Sequence, residues 1–171
     1  MRITDKYVFF YGGALSQWHK VPIFYREIMF NCAEQAMMYH KAMLFNDTVT
    51  AQKILDTDSP KAQKALGRKV TPFNPKEWSR MSRLIVLEIN YAKFSQHEDL
   101  KELLLSTGYK ILVEASPFDK VWGIGRREGT EGIEDQKNWN GKNWLGYCLS
   151  DVKHMLQNGH TPHLTPRRHY D

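Results

Sequence analysis

The chain has 171 residues, of which 42% are hydrophobic, 12% aromatic and 25% charged, and its formal net charge is +5. This composition excludes a chain that is disordered throughout, and a chain of this length buries roughly two thirds of its unfolded surface, so it needs neither metals nor disulfides to hold a core. The positive charge favours anionic partners such as nucleic acid, nucleotides or phosphorylated metabolites, although an ordinary solvated basic surface has the same charge.

The N-terminal part of the chain predicts short strands followed by a helix. An apolar run over residues 7–11 ends at two glycines and predicts a buried strand. Residues 23–30 alternate between apolar and polar positions around a central Arg-Glu pair, which predicts a hairpin. Asn31 is a favourable N-cap for a helix over about residues 32–45.

Two short helices are predicted next. The first begins at residue 47 or 48 and reaches residue 55. The second begins with Ser59 as the N-cap and a proline at the first helical position. It ends at Gly67, which leaves Arg68 just beyond its C-terminus.

The longest helix is predicted to begin after Asn74, again an N-cap followed by proline. Apolar residues recur along it at steps of three and four, namely Trp78, Met81, Ile85, Ile89 and Ala92. We interpret this stripe as core. A leucine-rich helix over residues 97–107 follows, and a short apolar strand over residues 111–113 ends at Glu114.

Residues 116–143 contain five glycines and little periodicity, and a loop of this length in a compact domain is usually functional or disordered. The tryptophans in and beside it, Trp122, Trp139 and Trp144, argue against disorder. Asn143 is expected to cap a last helix that ends at Gly159. The sequence therefore predicts a mainly α fold with a few short β-strands, as one domain over residues 1–159 followed by a polar tail over residues 160–171.

No apolar run approaches the about 20 residues that span a membrane, and the N-terminal residues lack the pattern of a secretory signal. We therefore expect a cytoplasmic protein with no membrane association. The two cysteines, Cys32 and Cys148, are far apart and predict neither a disulfide framework nor a zinc site. The histidines show no metal-ligand spacing and no glycine-rich nucleotide motif is complete, so we expect no metal and no cofactor.

Glu34 and Lys41 form the first candidate site. They lie seven residues apart, which places both on one face of the predicted helix, where they can point into the same pocket. A structural interpretation competes with this one. Asn31 and Glu34 have the spacing of a capping box, in which Glu34 would only accept a hydrogen bond from the Asn31 amide.

The second candidate is the segment that follows the last predicted strand. Glu114 and Asp119 lie at the strand end beside Trp122 and Gly123. Two carboxylates next to an aromatic ring and a flexible loop are what a site needs to stack a flat base and stabilise positive charge on a sugar. The competing interpretation is turn chemistry, because Ser-Pro-x-Asp is a common turn and a tryptophan can simply fill the core.

Arg68 is a candidate for binding phosphate, since a guanidinium group forks onto phosphate oxygens. Its structural alternative is an interaction with the C-terminus of the preceding helix, where a positive charge is favourable. The pattern leaves both interpretations open.

Taken together, these segments resemble the NADAR (YbiA-like) family over about residues 7–157. The motifs that carry the resemblance are Ala33-Glu34-Gln35 with Lys41-Ala42, Leu66-Gly67-Arg68, Lys93-Phe94, residues 104–108, residues 114–125, and Gly141-Lys142-Asn143-Trp144-Leu145-Gly146. Each motif alone is weak, but their occurrence in this order is hard to obtain by chance.

The resemblance implies a compact, mainly helical N-glycosidase that cleaves a bond between ribose C1 and nitrogen. Two substrate classes are associated with the family, namely ADP-ribose attached to guanine bases in nucleic acid and the phosphoribosylamino-pyrimidine intermediates of riboflavin synthesis. The net positive charge and the loop tryptophans favour the first, with nucleic acid as the carrier of the substrate. A module that binds ADP-ribose or NAD without turnover is the alternative, and an adaptor role comes third.

The resemblance also implies roles for individual residues. Glu34 and Asp119 are expected to stabilise an oxocarbenium-like state and to activate the nucleophile. Lys41 is expected either to assist the departing nitrogen or to attack C1 and form a Schiff base with the opened sugar. Substrate binding is expected from Arg68, Glu114, Trp122, Gly123 and Asn143.

Two segments depart from the family pattern. Residues 16–19 read Ser-Gln-Trp-His where the family often has a Ser-Asn-Phe-Tyr-like stretch, and residues 126–140 form a longer segment than expected. We expect both segments to border the substrate entrance and to affect the choice of substrate more than the chemistry.

Overall fold

A computed structural model describes residues 1–162, so the predicted polar tail lies outside the described residues from residue 163 onward. The strands are β1 (Arg2–Ile3), β2 (Tyr7–Phe10), β3 (Ile23–Tyr25), β4 (Ile28–Phe30) and β5 (Ile111–Glu114). The α-helices are α1 (Ala33–Leu44), α2 (Thr48–Leu55), α3 (Pro60–Gly67), α4 (Pro75–Gln96), α5 (Glu98–Ser106) and α6 (Trp144–Asn158). The mainly α prediction is confirmed. No helix within residues 1–162 combines the length and apolarity needed to cross a membrane.

A three-stranded sheet sets the positions of the loops that form the site. Strand β2 is central, with β1 antiparallel on one side and β5 parallel on the other. The register pairs Tyr7 with Ile111 and Phe10 with Glu114. Because the carboxyl ends of parallel strands meet at one edge of a sheet, the loops that follow Phe10 and Glu114 leave from the same edge.

The two faces of the sheet cover two different cores. Side chains alternate along a strand, so Val8 and Phe10 pack into the main core among the helices. Tyr7 and Phe9 pack on the opposite face, against a smaller apolar cluster that contains Ile124 and Ile133. The long segment between β5 and α6 supplies that cluster. It is ordered because it buries the second face of the sheet.

Helix α1 begins one residue later than the sequence predicts. Its N-cap is Cys32, whose Sγ accepts a hydrogen bond from the Gln35 amide at 3.4 Å. The Asn31 amide donates to the side chain of Gln35 at 2.7 Å. The predicted cap at Asn31 and the predicted capping box with Glu34 are therefore wrong. Gln35 takes the reciprocal role, which leaves the Glu34 side chain available to the adjacent cavity.

The other predicted starts of α2, α3 and α4 are confirmed. The side chains of Asp47, Ser59 and Asn74 accept hydrogen bonds from backbone amides in the first turns of these helices. Helix α4 then runs through the centre of the molecule, and its residues Met81, Ile85 and Ile89 are buried as the predicted apolar stripe requires.

Helix α6 does not begin with a side-chain cap, so that prediction for Asn143 is wrong. Asn143 has a left-handed backbone conformation, and its side chain makes no hydrogen bond to the helix. The amides of Trp144 and Leu145 instead donate to the carbonyls of Val121 and Trp122, both at 3.1 Å. The preceding loop therefore satisfies the first amides of the helix through its own backbone.

Gly146 lets α6 approach β5 closely. A Cβ at this position would overlap the carbonyl oxygen of Leu112 and lie 2.5 Å from both polar atoms of the Asn143 side chain. We expect Gly146→Ala to lower the free energy of unfolding by about 2 kcal/mol or more, because backbone atoms cannot yield as a flexible side chain does. Chemical denaturation monitored by circular dichroism measures this change.

Gly129→Ala is the matched control, since no heavy atom lies within 4 Å of a Cβ at that position. Its free energy of unfolding should stay within about 0.5 kcal/mol of the parent value. Equal stabilities for the two variants would contradict the close approach of α6 to β5.

Candidate active site

A cavity of about 460 Å³ opens at the carboxyl edge of β2 and β5. Helices α1 and α3, and the loops that follow β2 and β5, form its walls. Six of the eight residues predicted for the site line this cavity, namely Glu34, Lys41, Arg68, Glu114, Asp119 and Trp122. The other two, Gly123 and Asn143, are buried and do not line it.

Glu34 projects into the cavity from the first turn of α1 and is only 6% exposed. Its backbone amide donates to the Gln17 carbonyl at 2.9 Å, which ties this turn to the loop after β2. Burial raises the pKa of Glu34 to about 7, and the charge of Asp119 raises it further while Lys64 and Lys41 oppose the change. A carboxyl group with this pKa can both take up and release a proton near neutral pH.

Glu114 and Asp119 enter the cavity from the end of β5. Burial raises the pKa of Glu114 to about 8, and the charges of Asp119 and Glu34 act in the same direction. The Oδ1 atom of Asp119 accepts hydrogen bonds from the amides of Val121 and Trp122, at 2.9 and 2.8 Å. The turn interpretation of this segment is therefore confirmed, and it does not exclude the site interpretation, because the turn orients a carboxyl group that lines the cavity.

Gly123 and Asn143 position these carboxyl groups from outside the cavity. The Asn143 side chain accepts from the Glu114 amide and donates to the Leu112 carbonyl, both at 3.0 Å. A Cβ at Gly123 would lie 3.0 Å from the carbonyl oxygens of Asp119 and Glu114. The side chain of Asn143 is thus bonded to β5 and is not directed into the cavity.

Lys41 lies on α1, two turns beyond Glu34, and is half-buried. Its Nζ atom lies over the rings of Phe73 and Trp78, at 4.7 and 5.6 Å from their centroids. Burial lowers the pKa of Lys41 and Arg68 lowers it further, while Glu34 acts against both. A lysine with a lowered pKa is a better nucleophile, since a larger fraction of it is neutral.

Three cations from α3 and its C-cap line one side of the cavity. Lys61 and Lys64 accompany the predicted Arg68 at steps of three and four, which places them on one helical face. Sequence reasoning missed both lysines. The spacing of the three cations was the signal that could have found them. Arg68 is the C-cap of α3 and also lines the cavity, so its position is compatible with both interpretations offered for it.

Exposed aromatic side chains surround the cavity mouth, and sequence reasoning named neither Tyr11 nor Phe118 among the site residues. Tyr11 is 59% exposed, Trp18 42% and Phe118 77%, and all three line the cavity. The expectation that residues 16–19 border the entrance agrees with Ser16, Gln17 and Trp18 among the lining residues. Flat exposed rings of this kind are suited to stacking against a base.

None of residues 126–140 lines the cavity, so the expectation that this segment borders the entrance stays a prediction. Trp139 packs instead against Tyr7 in the smaller core, with ring centroids 5.9 Å apart, and its indole donates to the Ile133 carbonyl. This segment meets the site only through Arg127, whose guanidinium lies 5.9 Å from the centroid of the Phe118 ring.

Lys93 anchors the loop after β2 from the core side of that loop. It is fully buried on α4, and its Nζ donates to the carbonyls of Ala14 and Ser16 at 2.7 and 2.9 Å. Burial lowers its pKa to about 7. Asn90, one turn earlier, donates to the Gln17 side chain at 2.9 Å. The two side chains fix the loop that carries Trp18 and supports Glu34.

The cavity therefore combines carboxyl groups, a lysine with a lowered pKa, a row of cations and exposed aromatic rings. Carboxylates stabilise a positively charged transition state, and cations hold anionic parts of a ligand away from it. Among the described residues, no group of three or more His, Cys, Asp or Glu side chains has an arrangement that could hold a metal ion. The cavity of this mainly helical domain thus contains the groups that acid–base chemistry on an anionic ligand requires.

A sequence model of the NADAR domain matches residues 9–157. The protein N-glycosidase R617 of Acanthamoeba polyphaga mimivirus is 41% identical over 169 residues, which cover 90% of this chain and 98% of that one. Protein irg-1 of Caenorhabditis elegans is 43% identical over 131 residues, covering 75% of this chain and 62% of that one. The chain belongs to the NADAR family, and the resemblance found in its sequence is confirmed.

The fold agrees with a solved member. The NMR structure of the Escherichia coli protein YbiA superposes with a TM-score of 0.75 at 27% identity, covering 92% of this chain and 89% of that one. The two proteins therefore share this fold over most of their lengths.

The buried carboxyl group of Glu34 should lower the stability of the fold at high pH. Its pKa is about 7 in the folded protein against an ordinary value of 4.5, so between these values the folded state binds more protons and raising the pH removes stability. Glu34→Gln should therefore stabilise the protein at pH 8, by of the order of 3 kcal/mol, since one pKa unit corresponds to about 1.4 kcal/mol.

Below pH 4.5 the gain from Glu34→Gln should disappear, because the carboxyl group is then protonated in both states. Denaturant unfolding at pH 4 and pH 8 measures the difference. Exposed Glu102 on α5 provides the control, and Glu102→Gln should change stability little at either pH. A Glu34→Gln protein that is no more stable than the parent at pH 8 would contradict the burial of a charge at this position.

Proposed function

We propose that this protein is an N-glycosidase that hydrolyses a bond between ribose C1 and nitrogen. The observation that carries the proposal is the convergence of Glu34, Glu114, Asp119 and Lys41 on one cavity, with three of them shifted in pKa by burial and by each other's charges. The mimivirus relative, which this chain covers almost completely, is named an N-glycosidase and supports the same activity.

The chemistry requires that the C1–N bond breaks, that a C1–O bond forms with water, and that the departing nitrogen gains a proton. Positive charge develops on the ribose as the bond breaks, and the carboxylate of Asp119, held by two backbone amides, is placed to stabilise it. Glu34, with a pKa of about 7, takes the proton from the attacking water. Glu114 is largely protonated at neutral pH and can donate a hydrogen bond to the substrate.

Lys41 supports a second route to the same products. Its amine would attack C1 and displace the nitrogen base, and opening of the ribose ring would give a Schiff base that water then hydrolyses. The lowered pKa of Lys41 favours this route, and its nearness to Glu34 supplies a group that can move the protons. In the alternative, the Lys41 ammonium assists the departing nitrogen by its charge alone.

A module that only binds an anionic ligand is less consistent with this cavity. Three carboxyl groups would repel phosphate, and burying them lowers stability unless they are neutralised. The pKa values of Glu34 and Glu114 show that burial acts on two of the three. A loss of stability from buried carboxyl groups is expected at a catalytic site, because these groups are positioned to stabilise a charge that forms only during the reaction.

ADP-ribose attached to a guanine base in nucleic acid is the substrate that the cavity fits best. Lys61, Lys64 and Arg68 together provide more positive charge than a single phosphate requires, which suits a diphosphate. The exposed rings of Trp18 and Phe118 at the mouth suit the stacking of bases. A phosphoribosylamino-pyrimidine of riboflavin synthesis carries one phosphate and one smaller ring, and it is the second candidate.

The proposed activity is tested by mass spectrometry, with release of ADP-ribose measured from a single-stranded oligonucleotide that carries one ADP-ribosylated guanine. The phosphoribosylamino-pyrimidine is assayed in parallel. We expect release from the oligonucleotide, and a loss of at least 100-fold in kcat for Glu34→Gln with the fold retained, because an amide cannot accept the proton from water. Glu102→Gln is again the control and should keep full activity.

Release from the pyrimidine alone would replace the substrate while leaving the N-glycosidase proposal intact. No cleavage of either compound, together with binding of ADP-ribose, would favour the non-catalytic module. Full activity in Glu34→Gln would remove Glu34 from the mechanism.

The two roles of Lys41 are separated by borohydride reduction during turnover. A Schiff base at Lys41 would be trapped as a stable adduct, detected by an increase in protein mass and located by peptide mapping. We expect the adduct in the parent protein and its absence in Lys41→Arg, whose guanidinium keeps the charge but stays protonated and cannot act as the nucleophile. An active parent protein with no adduct, and a Lys41→Arg protein with most of its activity, would show that the charge alone is used.

A further inference from the structure

A second cavity, of about 520 Å³, lies between α4 and α6 and has no part in the chemistry described above. Helix α4 contributes Arg80, Arg83, Leu84 and Leu87, which recur at helical spacing and form the outward face of a helix whose other side is core. Leu84 is 47% exposed. The cavity is therefore a groove with an apolar floor and basic residues along one side.

More cations than carboxyl groups line this groove. Arg80, Arg83 and Lys142 line it together with a single carboxyl group, that of Asp151. Arg80 forms an ion pair with Glu77 at 2.6 Å on its own helix. Among residues 1–162, no carboxylate lies within ion-pair distance of Arg83 or Lys142, although both are exposed. Two cations of the groove are thus available to an anion.

Aromatic rings lie between these cations. The Arg83 guanidinium lies 4.4 Å from the centroid of the Trp144 ring, and the Lys142 ammonium lies 5.0 Å from it. Tyr147, one turn along α6, also lines the groove and is 41% exposed. A planar guanidinium held against an indole, beside an exposed phenol ring, offers a flat surface on which a base can stack.

The groove adjoins the candidate active site through one aromatic contact. Trp122 lines the first cavity and Trp144 lines the second, and their rings meet edge to face with centroids 5.6 Å apart. The amides of Trp144 and Leu145 are held by carbonyls of the same loop. The two cavities therefore lie on opposite sides of one rigid pair of rings.

We propose that the groove between α4 and α6 is a nucleotide-binding site. The base stacks on the surface formed by Arg83, Trp144 and Tyr147, and the phosphate is bound by Lys142 and Arg83. Two ligands supply both a flat ring and a phosphate group, namely a nucleotide within a nucleic-acid strand and a free nucleotide. The first source, a nucleotide beside the modified one, rests on the proposed function, whereas nucleotide binding itself does not depend on catalysis.

Binding measurements on the intact protein test the site. The probes are a fluorescein-labelled single-stranded 12-mer of unmodified DNA, followed by anisotropy, and deoxyguanosine monophosphate, followed by calorimetry. The variant is Arg83→Ala with Lys142→Ala, and the control is Lys6→Ala with Lys137→Ala. The control removes the same net charge from exposed lysines that line neither cavity.

We expect the groove variant to weaken binding of the 12-mer at least tenfold, and the control to weaken it no more than twofold. The slope of log affinity against log salt concentration should also fall in magnitude by about 0.7, since one phosphate neutralised on a single strand contributes about 0.7. Tyr147→Ala should weaken binding at every salt concentration without changing the slope, because stacking releases no counterions.

Weaker binding of the 12-mer in the groove variant, with no measurable binding of the mononucleotide to the parent, supports a strand as the source. Weaker binding of the mononucleotide supports a free nucleotide. The proposal is overturned if neither probe binds the parent protein, or if the groove variant and the control bind equally well. A protein that cleaves no ADP-ribosylated oligonucleotide yet shows the groove effect would refute the proposed substrate and keep the nucleotide site.

Discussion

Three carboxyl groups share one cavity in this fold. The free-energy cost of holding them there rises as more of them are ionised at the same time. Glu34 and Glu114 respond to burial and to their neighbours with raised pKa values. Cations of α3 and Lys41 offset part of the repulsion from the cavity walls. The part of this free-energy cost that the cations do not offset must be offset by packing elsewhere. The helical core therefore has to contribute enough stability to compensate for a site that is unfavourable to folding.

Backbone groups, more than side-chain pairs, hold these carboxyl groups in place. Asp119 is oriented by two amides of its own turn, and the end of β5 is held by the side chain of Asn143. The first turn of α1 is tied to the loop after β2 through the Gln17 carbonyl. These contacts leave the charged atoms themselves available to a substrate, which a network of salt bridges within the cavity would not allow.

Local signals in the sequence were sufficient for most of the fold. Caps followed by proline located α3 and α4, and the apolar stripe of α4 identified the central helix. The prediction failed where long-range packing decided the outcome. Asn143 looks like an N-cap, but its side chain bonds to a strand that lies about thirty residues earlier, and no local pattern reports that contact.

The same distinction applies to the site. The acidic residues were identified through family motifs, and the structure places them in one cavity. The capping box at Glu34 was misjudged by one residue, because Cys32 is a rare cap that pattern rules do not favour. Tyr11 and Phe118 lie on loops without periodicity, and the meeting of β2 and β5 at one sheet edge shows that they surround the same opening.

Lys93 fixes the shape of the loop after β2 in a way that does not depend on which side chains the loop carries. Its Nζ atom donates to main-chain carbonyls, at Ala14 and Ser16, which every amino acid possesses. Substitutions on the outer side of that loop therefore leave the anchor in place. Side chains at the rim, such as Trp18, can therefore change without displacing the carboxyl groups that lie deeper in the cavity.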